Sequence, residues 1–275
     1  MLVDGTNESP LGKETSYIEK YSREILCPIE RQPSRESLGI DSEELPFTGE
    51  DIWNAYELSW LNQKGKPEVA CAEFRIPCES RAIIESKSFK LYLNSLNHTK
   101  FASTDLLVKT LRDDLSWCVG LPVVVNLMHV EHGLSTESEL LTGTCLDQLD
   151  VEIDEYSPDG NLLIQDEQIV NEQVYSHLLR SLCPVTSQPD WGTIIIEYTG
   201  KRIKQEGLLK YLIGFRQHQE FHEQCVERIY RDISASCKPE RLSVYARYVR
   251  RGGLDINPYR SSDEVKCRNI RLNRQ

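Results

Sequence analysis

One eight-residue pattern occurs twice in this chain and restricts its fold more than any other feature. Phe89-Lys-Leu-Tyr-Leu-Asn-Ser-Leu96 and Leu208-Leu-Lys-Tyr-Leu-Ile-Gly-Phe215 lie 119 positions apart, each with apolar residues at its first, fourth, fifth and eighth places. That spacing is one face of an α-helix, so both copies predict an amphipathic helix. The same offset lays the strand-like run 122–130 on 241–249 and brings 68–76 beside 187–195. A second helix is expected in each copy, at 105–118 with Thr104 as its cap and at about 220–237, where Cys225, Val226, Ile229, Tyr230 and Ile233 share a face. Each copy therefore reads strand, strand, helix, helix, strand, strand. Such units build an α+β fold, an antiparallel sheet with helix pairs on one face. The expected division is an N-terminal arm at 1–44, a first module at 45–158 and a second at 159–275, with 159–180 joining the copies. The arm carries Pro10, Pro28 and Pro33, shows no sustained periodicity and is assigned no chemistry.

Composition narrows the function. No stretch approaches the ~20 apolar residues of a membrane span, and the first twenty residues lack an apolar signal region, so neither insertion nor export is expected. Nine scattered cysteines with no CxxC read as reduced thiols of a cytoplasmic protein. A formal charge of −11 opposes a phosphate backbone, so no direct nucleic-acid partner is expected. The chain has neither G-x-G-x-x-G nor a P-loop, so a nucleotide cofactor would have to bind by other means.

Four short strings hold residues suited to chemistry. Cys183-Pro-Val-Thr-Ser-Gln-Pro-Asp190 sets a thiol and a carboxylate on a loop with two prolines, where a nucleophile and an acid could flank one reacting bond. Read plainly, it is a buried inert thiol and a turn-forming Asp. Phe221-His-Glu-Gln-Cys225 opens a helix with His222 in line with Val226, Ile229 and Ile233, and Glu223 at the edge of that stripe. A satisfied core histidine beside a helix-start Glu is as good a reading. His222 and Cys225 have zinc spacing, but no second ligand pair accompanies them. Ile84-Glu-Ser-Lys-Ser-Phe-Lys90 puts hydroxyls and lysines before a helix, suited to phosphate or simply to capping. Tyr248-Val-Arg-Arg-Gly-Gly253 lets guanidinium and backbone approach a phosphate, or is a charged hairpin turn.

Together and in this order, the strings resemble the queuosine-pathway nitrile reductases, the 7-cyano-7-deazaguanine reductases, in their two-module form. Glu85-Ser-Lys-Ser-Phe-Lys-Leu-Tyr-Leu93 matches that family's signature, and the resemblance runs through residues 45–61 and 183–261. It implies tandem tunnelling-fold modules, a homo-oligomer taken as a dimer, NADPH as cofactor, no metal, and a small deazapurine substrate made for a tRNA modification. It also implies roles: Cys183 as nucleophile and Asp190 as proton donor; Ile84, Glu85, Ser86, His222 and Glu223 as substrate contacts; Ser86, Lys87, Arg251 and Gly252 as NADPH contacts. The nitrile would become a thioimide on Cys183 and be reduced to the amine by two NADPH, with His222 a candidate for proton traffic. For Glu85 and Glu223 to reach one base, the copies must dock so that both helix starts and Cys183 open onto one pocket. The alternatives are a thiol-dependent nitrile hydrolase, a zinc cyclohydrolase of the same fold, and an inactive purine- or pterin-binding module.

Overall fold

Eight apolar side chains carry the repeat, and all eight are buried: Phe89, Tyr92, Leu93 and Leu96 in the first copy, Leu208, Tyr211, Leu212 and Phe215 in the second. Removing a large apolar side chain from water stabilises by about 1.5–3 kcal/mol, so these helices are held mainly by the face they bury. A computed structural model describes residues 20–131 and 140–275. Its elements in chain order are β1 (Pro28–Glu30), α1 (Gln32–Ser37), β2 (Thr48–Leu61), β3 (Pro67–Pro77), β4 (Ala82–Ile84), α2 (Ser86–Ser95), α3 (Thr104–Val119), β5 (Val124–Met128), β6 (Thr144–Cys145), β7 (Gln165–Ser176), β8 (Arg180–Leu182), β9 (Pro189–Ile203), α4 (Gln205–Gly214), α5 (His222–Cys237), β10 (Arg241–Tyr248) and β11 (Leu254–Ser261). The repeat extends to polar bonds. Tyr92 donates to Asp114 across the α2/α3 pair at 2.7 Å, and Tyr211 donates to Asp232 across α4/α5 at the same distance.

The two halves share one sheet, ordered β5-β3-β2-β11-β10-β9-β7-β6, with β8 paired to the start of β9. The seam is β2 against β11, antiparallel from Thr48↔Ser261 to Ala55↔Leu254. Alternation along the strands sends Trp53, Ile194, Ile196, Val244 and Ile256 to the face covered by both helix pairs. Ile52, Ile195 and Tyr245 point the other way, where Cys267 and Ile270 of the C-terminal segment cover them. Mixed α+β architecture, with an antiparallel core sheet and helices on one face, follows directly from that alternation. Among the described residues, no helix is long and apolar enough to cross a membrane.

Three local expectations are corrected, and the arm is given its structure. The cap of α3 is Ser103, not Thr104: Ser103 is extended and its Oγ accepts from Leu106 N, whereas Thr104 is already the first helical residue. Residues 159–180 are not merely a connector, because they contain β7, a long strand paired with β9. Among the described residues the two strands that end the first copy do not pair with each other: β5 pairs with β3, and β6 pairs in parallel with β7 of the other copy. The arm is ordered from residue 20 on: β1 pairs with β4, and α1 buries Arg35. Its first 19 residues, like 132–139, lie outside the described residues.

Candidate active site

Two helix starts, one from each copy, meet at a single cavity of about 490 Å³ within one chain. The first is α2. Pairing of β1 with β4 sets Ile84 opposite Pro28, and Glu85 N donates to Cys27 O, which fixes where the helix begins. Glu85 is the cap: its carboxylate accepts from Lys87 N at 2.8 Å and Ser88 N at 2.7 Å. It is fully buried and does not line the cavity, whereas its neighbours Ile84, Ser86 and Lys87 do.

The second is α5, whose Phe221 cap is extended and whose Gln224 side chain accepts from Phe221 N. His222 and Glu223 both line the cavity, but their burial reverses the expectation from the apolar stripe. His222 is partly exposed and stacks on Tyr248, with ring centroids 3.7 Å apart and planes 8° from parallel. Glu223 is the buried one, because the arm and β11 cover a second, charged side of α5. Burial pushes its carboxyl up to about 7; Asp51 adds to the rise, while His222 and Arg31 oppose it. Glu223 Oε1 and His222 Nδ1 are buried without hydrogen-bond partners in the protein. Cavity-lining polar atoms of this kind are what a hydrogen-bonding ligand would satisfy.

Cys183 and Asp190 enter from the β8–β9 turn. Cys183 N donates to Gln188 O and Ser187 N donates back to Cys183 O, with Ser187 at φ 55, so the loop is closed on itself. Ser181↔Asp190 pairing then places Asp190 at the start of β9. Asp190 is buried, bonded by Arg251 Nη1 and lying 3.5 Å from His222 Nε2. Burial alone would raise its carboxyl, but His222 and then Arg251 outweigh it and hold the group below the ordinary carboxylate range.

Arg251 belongs to the β10–β11 hairpin. Arg251 N donates to Leu254 O and Leu254 N to Arg251 O, with Gly252 at φ 59 and Gly253 at φ 81. Two central residues with positive φ are what a tight hairpin turn of this hand requires, hence the glycine pair. A Cβ on Gly253 would fall 2.5 Å from Glu57 Cδ. The turn leaves Arg251 and Gly252 on the cavity wall, Arg251 also donating to Gln188 Oε1 at 2.6 Å.

The cavity thus gathers Cys183, Asp190, Ile84, Ser86, Lys87, His222, Glu223, Arg251 and Gly252, leaving only Glu85 of the expected set turned away. It adds Lys90 and Gln188, which lie in the chemical strings but were given no individual role, and Asp255, which the sequence reading did not select. Lys90 stands one turn beyond Lys87 and was legible from that spacing; Asp255, held by Asn54 and Tyr56, gave no local signal. Ser86, Lys87, Lys90, Arg251 and the side-chain-free Gly252 suit a polyanionic cofactor. His222 and Cys225 do not form a metal pair, since Cys225 is buried in the core. Among the described residues the group that brings three potential ligand atoms together is Cys145, Asp147 and His177, away from this cavity.

Comparison with known proteins agrees with the signature. The family model described as "Nitrile reductase, 7-cyano-7-deazaguanine-reductase N-term" matches residues 17–127, and that of "QueF-like protein" matches 189–266. A solved structure, archaeosine synthase QueF-Like in the apo form, aligns with 37% of this chain and all of its own at 17% identity and a TM-score of 0.31, too remote a likeness to add to the fold. The proteins named NADPH-dependent 7-cyano-7-deazaguanine reductase in Hydrogenovibrio crunogenus and Azoarcus sp. are 53% and 51% identical to this chain, over 98% and 95% of it and 97% and 93% of their own lengths. That of Chromohalobacter salexigens is 53% identical over 92% of the chain and 91% of its own. Identity of this depth, sustained across both copies and the loops between them, means that the chain belongs to the NADPH-dependent 7-cyano-7-deazaguanine reductase family.

Proposed function

We propose that this chain reduces the nitrile of 7-cyano-7-deazaguanine to the primary amine with two NADPH, through a thioimide on Cys183. The supporting observation is that Cys183, Asp190, His222, Glu223 and the start of α2 share one cavity inside a single chain. Glu223 Oε1, unpartnered and buried, accepts an N–H of the base, while Ile84 and Ser86 form the opposing wall. Losing a buried hydrogen-bond pairing costs about 1–3 kcal/mol, enough to separate this base from an isostere.

Asp190 begins as a carboxylate, because His222 and Arg251 hold it so. It therefore first accepts the Cys183 proton and then donates it to the nitrile nitrogen as the S–C bond forms and one C–N π bond breaks. The net change is addition of S–H across C≡N, and no outside proton is consumed. Two positive helix ends at the cavity favour the thiolate during attack. NADPH, when bound, would supply the hydride for both reductions of the former nitrile carbon, with the S–C bond to Cys183 breaking between them. Each reduction also needs a proton at nitrogen, which the Asp190–His222 pair is placed to deliver. Ser86, Lys87, Arg251 and Gly252, which line the cavity, would hold the cofactor's phosphates.

The finer architecture follows the same reading: an N-terminal arm at 1–44 and two tunnelling-fold modules at 45–158 and 159–275 in a cytoplasmic homodimer, with the described part of the arm, from residue 20, bound across the modules. The decisive experiment counts NADPH oxidised per amine formed, with two expected. Substrate without NADPH should add its mass to the wild-type chain and not to Cys183→Ala. Ammonia release with no NADPH consumed would replace the reductase by a hydrolase.

A further inference from the structure

Five ionic side chains, none more than 4% exposed, meet beneath α5, and two of them come from the arm. Arg31 bonds Asp51 Oδ2 and Ser80 Oγ and lies 3.6 Å from Glu227 Oε1. Arg35 grips both oxygens of Glu227 at 3.0 and 2.8 Å and donates to Cys78 O. Arg260 of β11 spans Asp51 Oδ1 and Glu227 Oε1, each at 2.8 Å. Three guanidiniums thus face two carboxylates, a surplus of one buried positive charge. An uncompensated charge away from water costs several kcal/mol. A third carboxylate is at hand: Glu223 stands one turn before Glu227 on α5, is buried, and has one oxygen unpartnered at the cavity wall.

We infer that Glu223, buried one turn before Glu227, completes this cluster when it ionises, and that Arg31, from the N-terminal arm, is a positioning residue that favours the Glu223 carboxylate against its burial and so makes it available to the base. The cluster is then balanced, three charges against three, and its one member facing the cavity is the acceptor the substrate needs. The inference rests on Glu223 being the base contact and adds why residues so far apart in sequence are required for it. The groups acting on Glu223 are Asp51 of β2, which disfavours its charge, and His222 of its own helix and Arg31, which favour it. Glu227, Arg35 and Arg260 complete the shell.

The test is binding of 7-cyano-7-deazaguanine to the Cys183→Ala protein from pH 5.5 to 8.5, where affinity should rise with pH as Glu223 ionises. Arg31→Met removes the cation that lowers Glu223, so the midpoint should move up by about one pH unit, with roughly tenfold weaker binding below it. Arg31→Lys should keep most of the wild-type midpoint. Arg31→Met with Asp51→Asn removes one charge of each sign and should bring the midpoint back down. A midpoint unmoved in Arg31→Met, or still raised in the double variant, would overturn the proposal. The infrared carboxylate band lost in Glu223→Gln reports the same titration without ligand. If Glu223→Gln binds the base normally while Arg31→Met still shifts that band, the base-contact reading fails and the cluster stands.

Discussion

Glu227→Gln removes one charge from the buried cluster and almost nothing from its volume, so its effect isolates the electrostatics. Burial works against the Glu227 carboxylate, but Arg260, Arg35 and Arg31 hold it down to about 2, against an ordinary 4.5. That difference corresponds to on the order of 3 kcal/mol of folding stability at neutral pH. Breaking a buried ion pair from one side costs about 3–5 kcal/mol, which agrees. For a chain of this size roughly 2 °C accompany each kcal/mol, so the variant should melt about 6–10 °C below wild type at pH 7. Because the folded-state pKa lies below the unfolded one, the contribution is complete above pH 4.5 and is lost as the pH falls toward 2. The gap between wild type and variant should therefore shrink to less than about half its size by pH 3. Melting followed by far-ultraviolet circular dichroism or calorimetry from pH 7 to 3 reads both quantities. A variant melting within about 1 °C of wild type at pH 7, or a gap that stays constant down to pH 3, would refute the reasoning.

Glu85→Ala should destabilise the chain by about 1–2 kcal/mol through loss of the α2 cap, seen as a lower melting temperature, whereas Glu85→Gln keeps an acceptor and should lose less. Arg251→Ala removes one of the two groups that depress Asp190, so the acid limb of adduct formation on Cys183 should move to higher pH; a pH–rate profile by intact mass checks it, and an unmoved limb counts against Asp190 as the proton acceptor.

The four long helices were legible because each buries a continuous stripe, and a stripe is written into the sequence at helical spacing. The hairpin at Gly252 and Gly253 was legible for a related reason, since positive φ at two adjacent positions selects glycine locally. The chemical strings could be picked out one by one, and their order carried the resemblance to the family. β7 was not legible: it lies near the sheet edge beside a two-residue strand, most of its residues stay partly or wholly exposed, and an edge strand needs no apolar run. The arm was marked off, but where it docks was not legible, because its order comes from ion pairs, Arg31 with Asp51 20 positions on and Arg35 with Glu227 192 positions on. No periodicity records such partners. Tertiary structure likewise decided that Glu85 caps its helix while Glu223 lines the cavity. The sequence marks both as carboxylates at helix starts, and what separates them is which neighbours, brought from the other copy and from the arm, surround each one after the chain has closed.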